Sequence, residues 1–136
     1  MRILYGVHTQ GQGGLAKASI LVPRMEALGH EVRAVTSGVQ PPACYQFPWQ
    51  RHVPGMEYVV ADGRADSLGT FNKWVREAPQ VFASLKLVRS ICDEFEPELV
   101  ISDFEPLTGS GLLRPGCEVV AASRPMALID PQLELP

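Results

Sequence analysis

The chain has 136 residues, 46% of them hydrophobic, with 12 Lys and Arg against 15 Asp and Glu for a formal net charge of -3. One domain's length with that apolar share supports a packed core without disulfide or metal staples. The outnumbered, scattered basic residues exclude a nucleic-acid binder, and no segment approaches the ~18 consecutive apolar residues of a membrane span.

Cys44, Cys92 and Cys117 stand too far apart for a zinc knuckle or a redox dithiol and read as free thiols of a reducing compartment. The apolar run Ile3 to Val7 is too short for the hydrophobic region of a signal peptide. A cytoplasmic location is expected, at most peripheral to the inner membrane face.

In chain order, RILYGV at 2–7 is a continuous apolar run that suits a strand buried on both faces of a parallel sheet. It runs into the glycine-rich turn of GVHTQGQGGLAKA (6–18). From Gly14 to Leu28, Leu15, Ala18, Leu21, Val22, Met25 and Leu28 recur at three- and four-residue steps, an amphipathic helix ended by Gly29 and interrupted by Pro23. HEVRAVTSG (30–38) reads as a second strand. Residues 39–55, with four prolines and three aromatics, read as a long irregular loop of the kind that is usually functional. MEYVVADG (56–63) reads as a third strand, and 64–97 as a helical pattern in two pieces broken near Pro79. ELVISDF (98–104) is a strongly apolar fourth strand ending in Asp103. A short turn or helix leads to a fifth strand, CEVVAAS (117–123), and the tail reads as irregular.

Alternating strands and helices predict a single α/β domain over 1–136. Its core is an open parallel sheet of about five strands flanked by helices, a three-layer, Rossmann-like arrangement. Ligands of such sheets sit outside the carboxyl ends of the strands, where strand order reverses. Four segments meet there: Gly11 to Gly14, Ser37 and Gly38, Asp103 to Pro106, and Ser123 to Pro125.

The glycine turn offers N–H groups at a helix start, where an anion binds well. It matches neither the dinucleotide fingerprint nor the P-loop, since Lys17 comes two positions too late. Phosphate binding and a plain tight bend both remain open. His8 is either a general base or a polar strand end. His30 and His52 read as capping or loop surface. Asp103 and Glu105 either bind sugar hydroxyls and exchange protons, or cap the next helix. Tyr45, Phe47 and Trp49 form either an apolar platform or part of the core, and Trp74, near Phe71, Val75 and Phe82, reads as core packing.

MRILYGV running into GQGGLAKA, then LGHEVRAVTSG, GMEYVVADGR and LVISDFEPLTG, together resemble the amino-terminal domain of a bacterial and archaeal group of glycosyltransferase-like proteins. The group is related in fold to the two-domain nucleotide-sugar transferases of the MurG and glucuronosyltransferase kind, and ISDFEP is its most specific piece here. The resemblance implies an acceptor-binding half of an inverting glycosyltransferase, of the GT-B and UDP-glycosyltransferase type. Its donor-binding half is expected from a further domain or a partner subunit, and the isolated domain should not turn over substrate.

A nucleotide-diphosphate sugar would then be a substrate, with no cofactor or metal implied, and the acceptor a sugar or a lipid-linked sugar. His8 or Asp103 would be the base. Gly11, Gly13, Gly14, Lys17, Ser37, Glu105 and Ser123 would contact substrate. A homodimer through the domain-interface face is a further expectation. Relatives carry histidine where this chain has Gly14, arginine at Lys17 and often glutamine at His8. The stretch after strand five, SRPMAL, departs as well. Gly14 favours the second reading, a non-catalytic Rossmann-like binding or scaffold domain, or one subunit of a split transferase.

Overall fold

The computed structural model describes residues 1–110 and 117–122. Its elements are β1 (Arg2–His8), α1 (Gln12–Ala27), β2 (Glu31–Ser37), β3 (Gln50–Val53), β4 (Val60–Ala61), β5 (Arg64–Ala65), α2 (Ser67–Phe95), β6 (Leu99–Asp103), α3 (Pro106–Gly109) and β7 (Glu118–Ala121). Five of the strands form a parallel sheet in the order β3-β2-β1-β6-β7. Chain order therefore reverses between β1 and β6, where Val7 lies in register with Asp103.

β1 is central and buried on both faces, which is why its sequence is a continuous apolar run. Strand periodicity sends its side chains alternately to two cores. Ile3, Tyr5 and Val7 pack with Leu15, Ala18 and Val22 of α1. Leu4 packs on the other side with Val88, Ile91 and Cys92 of α2 and Leu107 of α3. The sheet is thus the middle of three layers, a Rossmann-like α/β fold as expected.

α1 ends in a Schellman arrangement. The Gly29 N–H (φ 85°) bonds Glu26 O at 2.9 Å and the His30 N–H bonds Met25 O at 3.1 Å. It starts at Gln12, two residues before the expected Gly14, and passes through Pro23.

Three expectations are corrected. The segment 39–55 is not wholly irregular: Gln50–Val53 is β3, paired with Ala34 to Ser37, and Val53 is fully buried. An edge strand hides only some of its residues, so QRHV carries no apolar run to announce it. The apolar segment 56–63 contributes nothing to the main sheet. Within it, Val60–Ala61 pairs with Arg64–Ala65 in an antiparallel hairpin turned by Asp62 and Gly63, both at positive φ, the form expected of an Asp-Gly turn.

The third correction concerns α2, which is one helix of 29 residues and is not broken at Pro79. Pro79 and Val75, whose carbonyl loses its helical partner, both lie on an exposed face, so water can satisfy the freed group. α2 begins at Asp66, whose carboxylate accepts the Gly69 N–H at 2.9 Å. The fifth strand appears as β7 at the sheet edge; the end of its expected span, and the tail 124–136, lie outside the described residues.

Candidate functional site

β1 delivers His8 to the carboxyl edge of the sheet, and the chain turns back at once because Thr9 ties it to β2. The Thr9 N–H and hydroxyl both donate to Ser37 O at 2.8 Å, and the hydroxyl also contacts Val39 O. Gly11 then adopts φ 109°, a conformation that favours glycine, and α1 starts with no side-chain cap and no acid in its first turn. A Cβ at Gly11 or Gly13 would meet nothing within 4 Å, so this helix start lies open. Gly14 is the opposite case. A Cβ there would stand 2.9 Å from Val7 Cγ2 and 3.3 Å from His8 O, with Asp103 Oδ2 at 3.8 Å. Any side chain at this position collides with β1 unless Val7 moves.

Asp103 ends β6 beside Val7 and is only 4% exposed. Its Oδ2 accepts the Tyr5 hydroxyl at 3.3 Å, and its Oδ1 accepts the Lys17 ammonium at 2.8 Å. Burial first, and then the neighbouring carboxylate, push the Tyr5 hydroxyl well above its ordinary value, so it stays a donor. Lys17 reaches from α1 across the reversal point to β7, where its Nζ also donates to Ala122 O at 3.3 Å. The Lys17 side chain is 46% exposed, so a buried acid is paired with a half-solvated base at the carboxyl edge of the sheet.

His8 is buried, and both of its ring nitrogens have partners. Nε2 donates to Met56 O at 2.7 Å, which leaves Nδ1 to accept the Gln10 N–H at 3.3 Å. The Gln10 amide holds the 56–58 segment in place, donating to Tyr58 O at 2.6 Å and accepting the Tyr58 N–H at 2.5 Å. Tyr58 and Phe104 stand edge-on to the imidazole, with centroids at 6.4 and 6.2 Å. Trp74 joins them at 5.8 Å from Tyr58 and donates its indole N–H to Glu57 O at 2.8 Å. His8 is therefore enclosed in an aromatic group at this end of the sheet, without a free nitrogen for proton transfer in this conformation. Of that group, Tyr58 and Phe104 escaped the sequence reading. The signal for Phe104 was its place between two acids at the end of an apolar strand.

Glu105 and Ser37 reach the same edge but turn inward. Glu105 is 1% exposed and N-caps α3. Oε1 accepts from the Ser37 hydroxyl at 2.8 Å and the Leu107 N–H at 3.0 Å. Oε2 accepts from the Thr108 N–H and the Thr108 hydroxyl, both at 2.6 Å. With four donors on two oxygens and almost no exposure, Glu105 and Ser37 brace β2 to α3. Both residues, expected to contact substrate, direct their side-chain oxygens to these interior partners. Ser123 lies outside the described residues. The site assembled by the fold is thus Gly11 to Gly14, Lys17 and Asp103, with His8 behind it.

The loop aromatics fold back onto the protein. Phe47 and Tyr45 pack on the α1 side, while Trp49 packs on the α2 side, where the Arg33 guanidinium lies 4.9 Å from its ring and 4.5 Å from that of Phe95. Among the described residues, no group of three His, Cys, Asp or Glu is arranged to hold a metal ion, and no helix is long and apolar enough to cross a membrane.

A parallel sheet with its order reversed beside an open helix start and a buried acid–lysine pair defines a Rossmann-like α/β domain with its polar site at the reversal. The sequence profile of glycosyl transferase family 1 matches residues 1–114, and the chain belongs to that family. Its function is accordingly of the glycosyltransferase type. No curated protein and no solved structure matches the chain.

Proposed function

We propose that this domain is the acceptor-binding half of a two-domain, inverting glycosyltransferase that uses a nucleotide-diphosphate sugar. The observation that carries the reading is the placement of Asp103 and Lys17 at the open start of α1, where the sheet order reverses. In such a transfer an acceptor hydroxyl attacks the anomeric carbon, the bond from that carbon to the donor phosphate breaks, and a base takes the hydroxyl proton.

Asp103 suits the base better than His8, because both imidazole nitrogens are engaged while Oδ2 holds only the 3.3 Å bond from Tyr5. The Lys17 side chain is half-solvated while bonded to Asp103 and Ala122 O. Turning toward the departing phosphate, its ammonium would release Oδ1 and add a cation to the N–H groups of α1 where negative charge develops. The donor half comes from a further domain or a partner subunit, and a lipid-linked acceptor would bring the protein to the inner membrane face.

The test is single-turnover transfer by a form joined to or mixed with its donor half. Asp103→Asn should abolish the chemical step with nucleotide-sugar affinity retained, and unchanged turnover in that variant would sink the assignment. The enclosure of His8 and the collision awaiting any side chain at Gly14 favour a second reading, a binding module without chemistry. Under that reading the wild-type protein, supplied with its donor half, transfers nothing.

A further inference from the structure

A cavity of about 670 Å³ opens between the proline-rich segment 40–48 and β3, away from Asp103. Its chemistry is carried by Gln40, Gln46, Gln50, Tyr45, Phe47 and His52, and no Asp, Glu, Lys or Arg lines it. The volume falls within the ~300–1,000 Å³ typical of small-molecule sites. Several of its walls are held in place. Pro41 and Phe47 are buried, Tyr45 packs on the core, and the Tyr45 N–H bonds Pro42 O at 2.9 Å. The Gln50 Oε1 accepts the Phe47 N–H at 3.2 Å, which fixes the amide with its NH2 group left to donate. Among the described residues, the side-chain amides of Gln40 and Gln46 have no hydrogen-bond partner.

This lining selects a ligand class. A charged group there would find no counter-charge, and a wholly apolar one would leave the half-buried Gln50 NH2 unmatched. Amides present donors and acceptors together, which matches hydroxyl groups that both donate and accept. His52 belongs to this uncharged set: burial lowers its affinity for a proton, and its Nδ1 lies 3.0 Å from the Thr36 hydroxyl.

His52 also walls a second, charged cavity of about 180 Å³ that is lined by Glu57, Lys73 and Glu77 and reaches Gly38. A Cβ on Gly38 would stand 3.2 Å from His8 Nε2, so the two cavities step from the loop toward the His8 end of the cleft. We propose that the cavity between segment 40–48 and β3 is a subsite for an uncharged saccharide, the sugar portion of the acceptor. The role as acceptor site rests on the transferase reading above; the binding itself does not.

The experiment is saturation-transfer NMR on the full chain with maltose, cellobiose and lactose as probes and glucose 6-phosphate as the charged counterpart. Transfer to at least one of the three disaccharides is expected. Its affinity should weaken about fivefold in Gln46→Leu and again in Gln40→Leu, the loss of one net hydrogen bond each. Both residues are exposed, so neither change threatens folding.

Leu28→Ser, an exposed change outside both cavities, should leave the disaccharide signal unchanged. The proposal is overturned if all three disaccharides fail to bind, if the glutamine variants bind as well as wild type, or if glucose 6-phosphate binds as tightly. Loss of the signal in Leu28→Ser would overturn the location. Disaccharide binding that persists while no transfer is ever seen supports the saccharide site and overturns only its acceptor role.

Discussion

Replacing Glu105 by Gln tests whether this acid braces the fold or serves the cleft. The wild-type carboxylate takes four donors, two on each oxygen, in a position 1% exposed. Glutamine keeps one oxygen and puts an NH2 where the other stood. A hydroxyl, from Ser37 or Thr108, can rotate to accept from that NH2, but a backbone N–H, from Leu107 or Thr108, cannot. One buried N–H is therefore stranded, at about 1–3 kcal/mol, and the surviving bonds lose their charge assistance, roughly 1 kcal/mol more. The expected loss is about 2–4 kcal/mol out of a folding stability of ~5–15 kcal/mol. Urea unfolding followed by circular dichroism should show a lower midpoint at an unchanged slope. Glu105→Ala, which removes both acceptor oxygens and strands the Leu107 and Thr108 N–H groups, should lose more. A shift below about 0.5 kcal/mol in Glu105→Gln, the level of an ordinary surface substitution, would refute the bracing role.

Gly14→Ala should destabilise by about 1–3 kcal/mol through overpacking against Val7, and Val7→Ala in the same chain should recover part of that loss in a double-mutant cycle. His52 binds a proton less readily folded than at its ordinary value of 6.5, so below that pH the unfolded chain takes up the proton first and stability falls. His52→Gln should flatten the acid side of the stability profile measured by thermal unfolding. The Tyr5 hydroxyl is shifted the other way from 10.0, so above that pH the unfolded chain loses its proton first and stability again falls; Tyr5→Phe should remove that alkaline slope. Pro79→Ala should raise stability by up to about 3 kcal/mol in urea titrations, because it restores a hydrogen bond inside α2.

β1 and β6 were legible as apolar runs of buried strands, β2 from the alternation of Val32 and Ala34 leading into Val35 and Thr36, and α1 because its buried residues keep helical spacing. β3 was not, since an edge strand that buries Val53 and leaves Gln50, Arg51 and His52 partly or fully exposed has no such signature. The apolar 56–63 segment misled for a related reason. Tyr58 and Val60 remain 40% and 63% exposed, and apolarity without burial carries no information about pairing. Pro79 misled because a proline breaks a helix only where the freed carbonyl has no alternative partner, and that depends on which face is wet.

For the site, topology was readable and side-chain direction was not. The pentapeptide SDFEP places two acids at one strand end, and nothing in its spacing separates them. In the structure Phe104 takes φ 54°, a left-handed step between the two. Asp103 is still strand, in register with Val7, and shares the face of Tyr5 and α1, so it meets Lys17 at the cleft. Glu105, one step past the reversal, points into the α3 side and meets Ser37 and two residues of its own helix. A left-handed conformation on a residue with a Cβ costs about 1 kcal/mol or more and persists only where neighbours enforce it. Here the four bonds on Glu105 enforce it. The buried cap thereby holds the turn that leaves Asp103 as the acid facing Lys17, so Glu105, bonded wholly to the interior, fixes where its neighbouring acid stands.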